Sequence, residues 1–327
     1  MSAPIRVGTR ASLLATTQCG HVADMIRERL GREVELVEVR TDGDRTQASG
    51  IPLAEYGGVG VFVAALRDAL VAGEVDVAVH SLKDIPTYPA PGITLAAVPT
   101  REDPRDVVVA RDGLTLGELP VGSRVGTGSP RRVAQLSALG LGLDLVGVRG
   151  NVDTRIAKVR SGEYDAVILA RAGLSRIDRL HEVTEVLDPL QVLPAPGQGA
   201  LAVECRSDDP LLAELVVLED PATRAAVDAE RAVLATLEGG CTAPIGALAE
   251  VVEGEDGEEL WVRAVALSPD GALSVRMSAT GTPADAVGVG TRLGGEMLAD
   301  GAGDLDQQDQ HDSQDQPQLE PEQVRNA

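Results

Sequence analysis

The stretch Val75–Pro86, VDVAVHSLKDIP, gathers four groups that can do chemistry: His80, Ser81, Lys83 and Asp84. Val75, Val77 and Val79 alternate with Asp76 and Ala78, so the pattern predicts a strand over 75–79 that runs into these groups and stops at Pro86. Ionisable side chains past the carboxyl end of a buried strand are where open α/β sheets hold ligands. A solvated turn would carry Lys83 and Asp84 equally well, and the other strand ends decide between the two readings.

Those ends are rich in arginine. In VGTGSPRRVAQL, Ser129 suits the N-cap of a helix and Pro130 its first position, where the missing N–H costs nothing. Arg131 and Arg132 then fall in the first turn, against the positive end of the helix dipole, a placement that calls for an anion. A strand over 144–148 leads to Arg149, Gly150 and Asn151, with Arg155 in the next turn; another over 165–170 leads to Arg171 and Arg176. At the N-terminus, a strand over 5–8 passes Arg10 into a helix that Ser12 can cap. Cations at consecutive strand ends predict a cleft for a polyanion, and guanidinium forks suit carboxylates as well as phosphates. No GxxxxGK[ST] is present, no GxGxxG has the context of dinucleotide binding, and the GGVG at 57–60 is a weak signal.

The elements that must position these groups alternate in α/β fashion. Strands are predicted over 34–40, 94–98, 107–110 and 124–127, and helices over 62–71, 130–139 and 152–160. Punctuated joints near 99–105 and 193–199 divide this part into two lobes. Residues 41–60 read as a long functional or mobile loop. A helix from Pro221 to about 237, strands over 244–252, 260–267 and 272–280, and a helix over 284–298 make a small α+β third domain. From Asp304 onward the chain is acidic, glutamine-rich and nearly free of large apolar groups, which predicts disorder.

Composition narrows the function. Aromatics are 2% of 327 residues, so the core must be aliphatic. The net charge of −22 argues against nucleic acid, no apolar run is long enough to span a membrane, and the N-terminus has no export signal, so a cytoplasmic protein is expected. The three cysteines have neither disulfide nor metal spacing. Cys19 and Cys205 fall in helix and strand patterns and read as core, whereas Cys241 stands at the tip of the loop EGGCTAPIG, where Gly239 and Gly240 free the backbone. His80 reads as a structural hydrogen-bonding residue.

The chain closely resembles the porphobilinogen deaminase (hydroxymethylbilane synthase) family. The resemblance runs from about Ile5 to Leu298, carried by TRASLLA at 9–15, AVHSLKDIP at 78–86, REDPRD at 101–106, VGTGSPRR at 125–132, RGNVDTR at 149–155, PAPGQGAL at 194–201 and LEGGCTAPIG at 237–246. It implies an α/β fold of two periplasmic-binding-protein-like lobes with mixed sheets, residues 1–99 with 197–218 and residues 104–193. A small α+β domain, 220–303, carries the cofactor, and the tail 304–327 follows. It also implies a monomeric transferase that joins four porphobilinogen molecules head to tail, releases ammonia at each step and frees the tetrapyrrole by hydrolysis. The chain grows on a dipyrromethane bound as a thioether to Cys241.

By the family's pattern Cys241, Ser81, Lys83, Asp84, Ser129, Arg131, Arg132 and Asn151 face the cofactor. Arg10, Ser12, Arg149, Arg155, Arg176 and Gln198 face the substrate, and no metal takes part. Asp84 is the expected catalytic residue, binding pyrrole N–H groups and stabilising the cationic azafulvene left when ammonia departs. Each pyrrole brings an acetate and a propionate, which accounts for the arginines. Two features depart from the family: Val59 stands where a lysine is common in GGxG, and the chain passes early from the final helix into the acidic tail. A non-catalytic two-lobed protein binding a polycarboxylate is the alternative; the missing export signal and the GGC loop speak against it.

Overall fold

A computed structural model describes residues 3–39, 60–238, 243–255 and 257–305. Its first sheet starts with β1 (Ile5–Thr9), which leads into α1 (Leu13–Leu30) and returns as β2 (Val34–Glu38). Ser12 caps α1 as expected, its hydroxyl accepting from Ala15 N. After α2 (Gly60–Val71) come β3 (Val77–Ser81) and β4 (Ile93–Ala97). The strand expected over 75–79 therefore lies two residues later. Val75 and Asp76 close the turn after α2, with Arg6 gripping the Asp76 carboxylate, while His80 and Ser81 pair with Ala202 and Leu201. Two of the four candidate groups thus stand inside the sheet.

The chain then crosses to a second sheet: β5 (Asp106–Ala110), β6 (Arg124–Gly126), α3 (Pro130–Ala138), β7 (Asp144–Val146), α4 (Val152–Arg160), β8 (Ala166–Ala170), α5 (Arg171–Arg176) and the short β9 (Glu185–Val186). It crosses back into β10 (Leu201–Arg206) and α6 (Leu211–Leu215). The strand orders are β2-β1-β3-β10-β4 and β7-β6-β8-β5-β9. In each sheet the first three strands are parallel, and the fourth, supplied by a crossing segment, is antiparallel. The molecule is α/β with two lobes, and the chain passes between them twice.

The crossings run side by side. Arg101 Nε donates to Gln198 O at 2.7 Å, and Glu102 N to Gly199 O at 3.3 Å. Gly199 has φ +89°, and a Cβ there would collide with the Glu102 carbonyl, so only glycine fits.

The small third domain packs α7 (Pro221–Glu238) and α8 (Ala286–Ala299) on an antiparallel sheet of β11 (Ile245–Gly254), β12 (Gly257–Leu267) and β13 (Ser274–Gly281). Its core is aliphatic, with Val233, Leu237, Leu260, Val262 and Leu293 sealed from solvent. Residues 304 and 305, expected in the tail, pack on the third domain. Ala302–Asp304 form a helical turn, and Leu305 is buried in the same core. Residues 306–327, Val59 and Cys241 lie outside the described residues. No described helix is long and apolar enough to cross a membrane.

Candidate functional site

A cavity of about 350 Å³ opens between the lobes, at the carboxyl ends of β1, β3 and β8. Each wall comes from a strand passing into a turn. From the first lobe come Arg10, Ser12, Ser81, Lys83 and Asp84; from the second, Arg132, Asn151, Arg155 and Arg176; and from the return crossing, Gln198. Five cationic side chains, Arg10, Lys83, Arg132, Arg155 and Arg176, face two carboxylates, Asp84 and Asp153. Leu13, Leu14, Leu169 and Ala172 supply an apolar surface.

Asp84 ends a single 3-10 turn, Leu82–Asp84, directly after β3. Among the described residues no side chain or backbone N–H hydrogen-bonds its carboxylate, which leaves it open to the cavity. Burial raises its pKa, while Lys83, His80 and Arg10 pull it back. A carboxylate whose lone pairs are uncommitted is set to receive an N–H donor or a positive charge.

Lys83 lines the cavity and is exposed there. Desolvation there pushes its pKa down to about 8, with Arg132 and Arg131 adding to the shift and Asp84 and Asp106 opposing it. Its ammonium donates to Gln198 Oε1 at 3.3 Å. Gln198 in turn donates to Asp106 Oδ1 at 2.8 Å and to Pro104 O at 2.6 Å. Arg155 and Arg176 are likewise made less basic by burial, Arg176 to about 10. Arg155 is held by Gly150 O and Arg176 by Gly199 O, both neutral carbonyls. These cations are fixed in place without being neutralised.

The arginine pair at the start of α3 is arranged differently from expectation. Ser129 caps the helix and Pro130 opens it, but the anion facing Arg131 and Arg132 belongs to the protein. Asp106, fully buried at the start of β5, accepts from Arg131 Nη2 at 2.8 Å and Arg132 Nη2 at 2.7 Å. Burial would raise the Asp106 pKa, yet the two guanidiniums outweigh it and hold the carboxyl well below its ordinary range. Arg131 also donates to Leu193 O and does not line the cavity, whereas Arg132 donates to Ile168 O and does. Arg132 Nε is buried with no hydrogen-bond partner among the described residues.

Ser129 and Arg149 also stand off the cavity lining. Ser129 is occupied as a cap, and Arg149 is exposed on the loop after β7. Asn151 lines the cavity and also caps α4, its Oδ1 accepting from Thr154 N at 2.9 Å. Gln18, missing from the sequence-based set, lines the cavity and donates to Ser81 Oγ at 3.0 Å. His80 is buried with Nε2 3.3 Å from Glu204, which Arg67 also grips at 2.6 Å, and it lines a smaller cavity together with Asp84. Burial opposes the Glu204 charge, but His80 and Arg67 draw its pKa down to about 2. Cys19 and Cys205 are buried, and burial raises both thiols to about 11, so neither is a poised nucleophile.

The donor set suits a ligand with several carboxylates and an N–H donor: cations around the rim, an arginine N–H with no partner among the described residues, an apolar wall and one open carboxylate. Residues 5–214 match the family described as "Porphobilinogen deaminase, dipyromethane cofactor binding domain", and residues 224–299 match "Porphobilinogen deaminase, C-terminal domain". A porphobilinogen deaminase of Nocardia farcinica is 59% identical over 308 residues, covering 92% of this chain and 88% of its own. One from Mycobacterium bovis is 57% identical over 307 residues, covering 92% and 98%. Among solved structures, a periplasmic substrate-binding protein of an ABC transporter from Coxiella burnetii covers 65% of this chain and 91% of its own, at 14% identity and a TM-score of 0.42.

Proposed function

The chain belongs to the porphobilinogen deaminase family, and on that premise we infer that it joins four porphobilinogen molecules head to tail, releasing ammonia at each step, to form hydroxymethylbilane. The observation that carries this reading is the interlobe cavity, where five cations surround the Asp84 carboxylate, which no described residue engages by a hydrogen bond. The dipyrromethane, when bound, supplies the free pyrrole α-carbon on which the product grows. We assign its thioether to Cys241, on the strength of the GGC loop that follows α7.

Arg10, Lys83, Arg132, Arg155 and Arg176 hold acetate and propionate groups. For Lys83, Arg155 and Arg176, restraint by Gln198 and by neutral carbonyls leaves the charge for the ligand and means little reorganisation when it binds, while Arg132 is held in place by Asp106. When porphobilinogen loses ammonia, the carbon–nitrogen bond breaks, the nitrogen keeps the electron pair, and positive charge spreads over the pyrrole. Asp84 accepts from the pyrrole N–H and lowers the energy of that charge. Desolvation strengthens the attraction, while Lys83 and Arg10 favour the ionised carboxylate. Arg131 acts at one remove, by sharing Asp106 with Arg132.

The domains we propose are 1–99 with 197–218, 104–193, and 220 to 305. Three separate sheets, each over its own core, support the division, and buried Leu305 sets the last limit. The net charge of −22 disfavours a nucleic-acid partner, and a monomer working in the cytoplasm without membrane partners goes with the family reading. Incubation with porphobilinogen tests the activity: stoichiometric ammonia release with appearance of hydroxymethylbilane supports it, and binding without ammonia release would favour the non-catalytic binding protein instead.

A further inference from the structure

Helix α7 of the third domain meets the turn that carries Asp84 at three points along one face. Val227 shares a buried cluster with Leu82 and Ile85. One turn on, the Arg231 guanidinium donates through Nη1 to Ile85 O at 3.0 Å and through Nη2 to Pro86 O at 2.7 Å. Two turns further, Glu238 accepts from Thr87 Oγ1 at 2.8 Å. Steps of four and seven residues return a helix to the same side, so one face of α7 runs beneath residues 82–87.

The start of the turn is anchored, with Leu82 N donating to Ala200 O at 3.0 Å and the Leu82 and Ile85 side chains buried, but the backbone that leaves it after Asp84 has fewer ties. The 3-10 element Leu82–Asp84 is a single turn, closed by Ile85 N donating to Leu82 O at 3.1 Å. Among the described residues neither the Ile85 nor the Pro86 carbonyl accepts a backbone N–H. The two carbonyls after Asp84 are instead gripped by a side chain from another domain. Burial disfavours the Arg231 charge in that place, and Asp228 and Glu204 offset the effect only in part. A guanidinium held there against desolvation, and aimed at neutral carbonyls, is suited to fixing backbone. Attachment of the domain has other means, including the Arg101–Glu230 pair at 2.6 Å.

We propose that Arg231 is a positioning residue for the reaction: through Ile85 and Pro86 it fixes where the Asp84 carboxylate stands in the cleft. The proposal rests on the role given to Asp84 above. The helix that precedes the cofactor loop thereby also sets the place of the group that stabilises the developing cation.

Arg231→Met and Arg231→Lys test this in the full-length, cofactor-loaded enzyme, assayed well below the unfolding midpoint. In Arg231→Met the adduct mass stays intact and KM for porphobilinogen rises only a few fold, since Arg10, Arg132, Arg155 and Arg176 are untouched and only Lys83 shares the turn. Its kcat falls roughly tenfold to hundredfold, the range expected when a catalytic group is misplaced by about 1 Å. Arg231→Lys keeps the charge but cannot bracket both carbonyls, and recovers part of the loss. A merely structural role would lower the thermal midpoint and leave kcat alone, so wild-type kcat in either folded, loaded variant overturns the proposal. If Arg231→Met does not fold, Arg231→Lys decides by itself. Asp84→Asn, measured alongside, separates the two readings. Retained turnover there sinks the role of Asp84, whereas an inactive Asp84→Asn beside a fully active Arg231→Met sinks only the role of Arg231.

Discussion

Replacing Asp106 by asparagine should destabilise the empty protein severely. The side chain is fully buried and is the shared partner of Arg131 and Arg132, with Gln198 as a third donor at 2.8 Å. Asp106→Asn keeps the shape but leaves two buried guanidiniums facing a neutral amide. Breaking a buried pair in this way costs about 3–5 kcal/mol, because an uncompensated charge remains. The Arg131→Leu, Arg132→Leu double variant should cost a similar amount from the other side, by stranding the carboxylate. Relief of the helix dipole repays only about 0.3–1 kcal/mol per arginine and does not reverse the sign. Chemical denaturation of the cofactor-free protein measures this, and a double-mutant cycle of Asp106→Asn with Arg131→Leu should show strong coupling. Because the folded pKa of Asp106 is depressed, its contribution is present above the unfolded carboxylate pKa of about 4 and is lost as pH falls through the lower folded value. An unchanged midpoint in Asp106→Asn, or a double-leucine variant more stable than the wild type, would refute the reasoning.

Asp84→Asn should fold normally and lose roughly 10²–10³-fold in turnover, the scale of one preorganised electrostatic contact; a stopped-flow or steady-state assay reads it directly. Lys83 has a folded pKa of about 8, so the rate of cofactor assembly by cofactor-free protein should fall as pH rises through 8. Lys83→Arg should remove that limb, and its persistence in the arginine variant would assign it to another group. Deleting 306–327, polar by composition, should leave the thermal midpoint in place. Extending the deletion through Leu305, which is 7% exposed, should cost about 1.5–3 kcal/mol of apolar burial; equal midpoints for the two deletions would count against Leu305 as a core residue.

Much of the fold was legible because local patterns and global structure agree. The helix expected over 152–160 appears as Val152–Arg160, and the cap at Ser129 with Pro130 behind it marks the start of α3. Valine alternation cannot say which end of a run enters the ladder, and pairing with β10 moved the strand from 75–79 to Val77–Ser81. The arginine pair was visible and its counter-ion was not. Nothing local links Asp106 to residues 25 and 26 positions later, and only the antiparallel insertion of β5 brings them together. Gln18 did carry a signal: it lies four residues from both Leu14 and Val22 on the apolar stripe of α1, where a polar side chain needs a reason. Arg231 carried none, since an arginine on an amphipathic helix reads as solvated until its partners are known.

The central claim, a tetrapyrrole-building transferase primed by a dipyrromethane on Cys241, is tested most directly by the intact mass of the purified protein. The account predicts an excess over the sequence mass equal to two porphobilinogen-derived units, stable to reducing agents because a thioether is not a disulfide. Peptide mapping should find it on Cys241 and leave Cys19 and Cys205, both buried, unmodified. Cys241→Ser should lose most of the adduct and the activity with it. A fully active preparation with three free thiols and no added mass would contradict the account.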